Sequence, residues 1–104
     1  VLDSPVQTAA PDAILVADGA FLQRLELDAF WDLRIYVDDS FETVLRRGAA
    51  RDAAWMDSAA AAEKRYRNRY IPGEQMYVDQ VRPAERAQLV VNNEDPANPT
   101  LTRR

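Results

Sequence analysis

The apolar positions of the chain fall into runs that predict alternating strands and helices. Ala13-Ile14-Leu15-Val16-Ala17 is an unbroken apolar run that stops at Asp18-Gly19. Such a run reads as a strand buried on both faces, the kind found in parallel sheets. An acid at its carboxyl end lies where open α/β sheets bind their ligands. Leu33-Arg34-Ile35-Tyr36-Val37 reads as a second strand, and Leu89-Val90-Val91 as a short third. Between the first two, Leu22–Trp31 has apolar residues at irregular, roughly helical spacing and predicts a short helix or turn.

The clearest helix spans Phe41–Trp55, where Phe41, Val44, Leu45, Gly48, Asp52 and Trp55 share one stripe. Ser40 or Asp39 is placed to cap it. Gly48 costs the helix about 1 kcal/mol relative to alanine. A close backbone approach explains such a glycine, and so does simple tolerance. Asp57-Ser58 caps a second helical run that reaches Tyr70, with Glu63 and Arg67 as an i,i+4 pair. Tyr66, Tyr70 and Tyr77 are spaced to share a face of that run. Pro72-Gly73 should break or kink it, Glu74–Val81 resume it, and Pro83 end it. Asn92–Pro96 reads as a turn.

Strand, helix, strand, helix, helix, strand is the order of an α/β fold with a parallel sheet and right-handed crossovers. Ala13–Ala17, Leu33–Val37 and Gln88–Val91 are the expected parallel strands, with helices near 41–55 and 58–80. Residues 1–12, broken by Pro5 and Pro11, read as an irregular lead-in, and 97–104 as a tail with little to bury. Three strands make a thin sheet, so an exposed apolar edge and a partner chain are expected.

Composition narrows the chemistry. The 104 residues contain neither cysteine nor histidine, which excludes disulfides, Cys or His metal sites, thiol nucleophiles and histidine bases. A net charge of -4 does not favour non-specific nucleic-acid binding. No apolar run approaches the ~20 residues of a membrane span, and Val1–Ala10 lacks the features of a signal peptide. A cytoplasmic location is the expectation. The candidate chemistry is carried by Asp18 and by Arg47 and Arg51, which lie i,i+4 beside the helix stripe. Asp18 also reads as a turn cap, and the arginines as a solvated helix face. Arg65, Arg67 and Arg69 read as a solvated face, Tyr66 as core, and Trp55 as packing.

Ala13–Gly19, Leu33–Asp38, the run Arg47-Gly48-Ala49-Ala50-Arg51-Asp52, and Ala87–Val91 with Asn93 and Asp95 resemble the C-terminal part of the uridine kinase group. These are P-loop nucleoside kinases related to phosphoribulokinase. The resemblance spans about 13–96 and rests on the order and spacing of these segments together. It implies a three-layer parallel sheet of the P-loop nucleoside kinase type, present as an incomplete C-terminal portion with about three strands and a helical lid near 52–72. It implies transfer of the γ-phosphoryl group of ATP, with Mg²⁺, to a hydroxyl of a nucleoside or other small metabolite. Asp18 would take the catalytic, Mg²⁺-holding position after the strand, where the family commonly has glutamate. Arg47 and Arg51 would face phosphates, Arg51 catalytically, and Arg65 and Tyr66 would belong to the lid and substrate region.

The chain departs from the family pattern at several points. Gly48 stands where a second arginine is common, Trp55-Met56-Asp57 replaces lid arginines, and Ala87-Gln88 replaces Ala-Asp. No Gly-x-x-x-x-Gly-Lys-[Ser/Thr] loop occurs; the three glycines are isolated, and the lone lysine is Lys64. The expectation is that Val1 lies in mid-domain, that the chain alone is inactive, and that its partner is the missing N-terminal half or a second copy. A non-catalytic P-loop-like fragment or assembly module is the alternative reading.

Overall fold

A computed structural model describes residues 3–103. The fold is α/β, with five α-helices, a π-helical turn and a three-stranded mixed sheet among these residues. Among the described residues, no helix or strand occurs before α1 (Leu25–Asp28). The expected strand at Ala13–Ala17 does not form. Ile14, Leu15 and Val16 are 90%, 81% and 87% exposed. Beyond Ala13 N–H donating to Ala10 O, the backbone of this run makes no hydrogen bond among the described residues. An apolar run becomes a strand only when a partner satisfies its N–H and C=O groups, and none lies alongside it.

The other two strands form where the pattern placed them. β1 (Ile35–Asp38) pairs in parallel with β2 (Leu89–Asn92), Tyr36 opposite Val90 and Val37 opposite Val91. The third strand is β3 (Thr100–Arg103), antiparallel to β2 with Val91 opposite Leu101. The sheet is therefore mixed, and the expected structureless tail contributes an edge strand. Hydrogen bonding to β2 organises this polar segment where its own sequence carries little apolar signal.

A knot of charge ties the start of the sheet to the helices. Arg34 Nε donates to Asp28 Oδ1 at 2.6 Å, and Arg86 Nη2 donates to Asp28 Oδ2 at 2.7 Å. Gln88 Oε1 accepts from the Arg34 N–H at 2.7 Å, so glutamine at this position aligns the two parallel strands.

α2 (Phe41–Asp52) begins at Ser40, whose Oγ accepts from the Thr43 N–H, and ends three residues short of Trp55. The Glu94 carboxylate adds to this cap, accepting from the Ser40 N–H and from Thr43 Oγ1. α3 (Ala59–Arg65) is capped by Ser58 in the same way and packs against α2. It runs through a π-helical turn, Tyr66–Tyr70, into α4 (Ile71–Val81). Pro72 therefore does not break the run. Ile71 N–H reaches back five residues to Tyr66 O. That wider turn accommodates a proline with no N–H and a ring that would press on the carbonyl four residues earlier. α4 ends at Arg82, which is left-handed at φ 53°, and α5 (Pro83–Arg86) follows.

Burial is concentrated in two small groups, with Thr43 buried apart from both in the first turn of α2. Gly48, Asp52, Ala62 and Tyr66 meet between α2 and the α3 run, and Gln23, Tyr77, Pro83, Ala87 and Val90 form the second. Tyr77 packs edge-on against Phe21 at 5.3 Å, and its hydroxyl accepts from the Gln23 N–H. The accessible surface is 8388 Å², against about 5,900 Å² for a compact chain of this mass. The radius of gyration is 16.2 Å, against about 13 Å for a compact domain of this length. The chain thus leaves far more surface uncovered than a self-sufficient domain does.

Candidate functional site

The best-organised polar cluster lies where the end of α2 meets the π turn. Gly48 makes it possible. A methyl group at this position would come within 2.3 Å of Tyr66 Cζ, so the absence of a side chain lets the phenol ring lie on the helix. Of the two explanations for this glycine, close approach is the one observed, although the approaching group is a side chain and not a backbone.

Tyr66 Oη donates to Asp52 Oδ2 at 2.9 Å. Asp52 Oδ1 accepts from Arg51 Nε at 3.0 Å and from Trp55 Nε1 at 3.2 Å. Arg51 Nη2 donates to Tyr66 Oη at 2.8 Å, closing a ring of three side chains. Asp52 is buried, yet hydrogen bonding from Arg51 holds its carboxyl below the usual range, against the opposing effect of burial; Tyr66 and Trp55 assist. Burial raises the Tyr66 phenol, and its hydrogen bond to Asp52 raises it further. The hydrogen bond to Asp52 also keeps Arg51 more firmly protonated than usual. At neutral pH the cluster is a carboxylate, a neutral phenol and a guanidinium. A carboxylate held this low is a poor proton acceptor, so Asp52 is a positioning group.

The Arg51 side chain is 75% exposed although two partners fix its direction. Its Nη1 makes no hydrogen bond among the described residues. An oriented, solvent-facing guanidinium is suited to binding an anion with planar oxygens.

Of the other candidates, Arg47, Asp18 and Arg65 lie outside this arrangement. Arg47 is engaged inside the fold, its Nη1 donating to Asn93 O at 3.0 Å and its Nη2 to Glu94 O at 2.7 Å. A longer contact reaches Asp39. Arg47 thus fastens α2 to the β2–β3 turn, and the two arginines are held by different partners. Asp18 is exposed in the irregular segment, since the strand that would have presented it is absent. Arg65 is exposed and makes no side-chain hydrogen bond among the described residues, while Tyr66 is buried in the cluster. Tyr70 packs edge-on against Tyr66 at 4.9 Å, whereas Tyr77 belongs to the second buried group. Trp55, expected as packing, is largely exposed and contributes its indole N–H to Asp52.

Glu94 was not singled out by the sequence reading. The Ser40 N–H and then the Thr43 hydroxyl hold its carboxyl below the usual range. Its only signal was an acid in the turn after the last apolar strand.

A separate open cleft of about 470 Å³ is lined by Tyr36, Asp38, Val78, Asp79, Arg82 and Glu85, together with Pro83 and Ala84. None of the arginine or aspartate candidates named above lines it. No group of three or more acidic side chains placed to share a metal ion occurs among the described residues. No helix among them is long and apolar enough to cross a membrane. Comparison with protein-family models, with curated proteins and with solved structures finds no match to the chain.

Proposed function

We propose that the chain is the C-terminal part of an ATP-dependent kinase of the uridine kinase type, with Arg51 meeting the phosphate groups. The whole protein would transfer the γ-phosphoryl group of ATP to a hydroxyl of a nucleoside or another small metabolite. The observation that carries the reading is Arg51 itself: oriented by Asp52 and Tyr66, yet open to solvent. Phosphoryl transfer depends on positioning and on neutralising charge, and an arginine held in direction but free at its outer edge suits both. The helical segment between β1 and β2 adds support, since it holds Arg51 and Tyr66 on two arms that meet at one point.

The residues present do not fit ATP and Mg²⁺ in full. The three glycines are isolated and none has a positive φ, so no glycine-rich nest of N–H groups exists for the phosphates. Asp18 has no companion set of ligands among the described residues. The chain's own contribution is therefore an anion contact at Arg51, with Arg65 exposed next to Tyr66 in sequence and Asp18 as the family-implied Mg²⁺ ligand. With ATP, Mg²⁺ and uridine or cytidine, the isolated chain should give no product above a no-protein control.

The direct test is an NMR titration of the arginine Nε–H signals with inorganic triphosphate. The Arg51 signal should shift and saturate, and Arg51→Ala should remove the response while lowering the melting temperature by several degrees, since it takes away the hydrogen bonds to Asp52 and Tyr66. An unshifted Arg51 signal would return it to the solvated helix face. In a longer protein carrying a phosphate loop upstream, Arg51→Ala should lower turnover by orders of magnitude. Arg51→Lys should also be impaired, because lysine lacks the planar fork.

The second reading is a non-catalytic assembly module. The observation in its favour is the surplus of exposed surface, above all the uncovered run at Ile14–Val16.

A further inference from the structure

Two incomplete surfaces occur in the same chain. β1 is the outer strand on its side of the sheet and pairs with β2 alone, so its other edge is free of pairing among the described residues. One sheet face is also open. Val37, Val91 and Leu101 stand in one row across the three strands, on the same side as Ile35. Ile35, Val37 and Leu101 are 54%, 55% and 53% exposed. The second incomplete surface is Ala13–Ala17, an uncharged, strand-like run with no backbone partner beyond its first residue.

We propose that two copies of this chain pair by exchanging this run. Ala13–Ala17 of each copy adds to the free edge of β1 in the other as a fourth strand. The fit is one of length, pattern and number. Five apolar residues meet a four-residue strand, and each copy has one run to give and one edge to receive it. A two-fold pair closes with nothing left over, whereas edge-to-edge pairing of β1 strands would leave both runs in water.

The area supports a second copy as the occupant. Ile14, Leu15 and Val16 on the run, with Leu33, Ile35 and Val37 on or beside the receiving strand, are exposed apolar side chains at these two surfaces. Covering them removes on the order of 500 Å² of apolar surface per chain. That equals the apolar part of a standard interface, which takes about 800 Å² from each partner. It also accounts for about a fifth of the excess of the 8388 Å² surface over a compact chain. The inference is independent of phosphate handling, since none of these side chains takes part in the Arg51 cluster.

The test is molar mass by light scattering, from micromolar to near-millimolar concentration, with hydrogen exchange on the same samples. A dimer of twice 11.8 kDa is expected, with the amides of Ile14–Ala17 protected only in the dimer. Ile14→Glu with Val16→Glu should weaken the dimer by at least about a hundredfold, because two charged side chains would enter an apolar site. Both positions are exposed in the monomer, so circular dichroism should show unchanged folding. Val37→Lys puts a charge on the receiving strand and should disfavour addition there, and mixing it with the double variant should restore a weaker, one-sided pair. A chain that stays monomeric throughout overturns the proposal. So does a dimer indifferent to Ile14→Glu/Val16→Glu, or a monomer whose run is already protected. The triphosphate response of Arg51 should be unchanged in the double variant, so this result and that of the anion titration are read separately.

Discussion

Replacing Gly48 with alanine should destabilise the chain, which is the reverse of what an ordinary helical glycine does. The methyl group would stand 2.3 Å from Cζ, 2.4 Å from Cε1 and 2.5 Å from the hydroxyl of Tyr66. Non-bonded carbons rest at about 3.5–4.0 Å, so the ring has to withdraw by more than about 1 Å. Its freedom to do so is small. The hydroxyl is bonded to both Asp52 and Arg51, and the ring is buried against Tyr70. Alanine gains about 1 kcal/mol in helix propensity. Overpacking costs about 1–3 kcal/mol, and each hydrogen bond lost from the hydroxyl costs about 1 kcal/mol more. The net loss is about 2 kcal/mol, or roughly 10 °C in melting temperature for a chain of this length. Thermal and urea unfolding followed by circular dichroism measure it. In a Tyr66→Leu background the sign should reverse, with Gly48→Ala raising stability by up to about 1 kcal/mol, and the double-mutant cycle isolates the contact. A rise in melting temperature for Gly48→Ala in the otherwise unchanged chain would refute the packing of Tyr66 on α2.

Arg47→Met keeps most of the stem and removes the donors to Asn93 O and Glu94 O; it should cost about 1–2 kcal/mol after allowance for solvent screening, read by urea unfolding. It should also speed amide exchange in the β2–β3 turn, and unchanged exchange there would show that the turn does not depend on Arg47. Glu74 is half-buried without a hydrogen-bond partner among the described residues, and desolvation raises its carboxyl. Its folded pKa lies above the unfolded value near 4.3, so ionisation lowers stability as pH rises through and beyond that point. Glu74→Gln should therefore raise the melting temperature at pH 7 by about 2 °C. That advantage should fade as pH falls toward 4, and a gain independent of pH would show that burial of charge is not its cause.

Local signals were legible where one short segment supplies its own physics. Ser40 and Ser58 each precede a helix and accept from a first-turn N–H, which is a decision made within four residues. The parallel pairing of β1 with β2 was legible because β-branched runs flank a helical crossover of sufficient length. Ala13–Ala17 was misread because apolar pattern reports what a segment can bury, while strand formation needs a neighbour. Thr100–Arg103 was missed for the converse reason: its neighbour supplies what its composition lacks. In the site, the effect of Asp52 on Arg51 was readable from adjacency. The part played by Tyr66 was not, since it lies 15 positions from Arg51 and reaches it through the packing of α2 on the α3 run.

The π turn at Tyr66–Tyr70 has a consequence for phase. In an unbroken α-helix, positions 66, 70 and 77 would fall within about 40° of one another. One extra residue in a turn rotates everything downstream by about 100°, so the helical run addresses two different neighbours. Before the turn it presents Tyr66 to α2; after it, Tyr77 faces Phe21 and Gln23. The turn works as a coupling set at a fixed angle between two shafts. Removing one residue from the turn would bring the shafts back into line and set both aromatic groups on the same side.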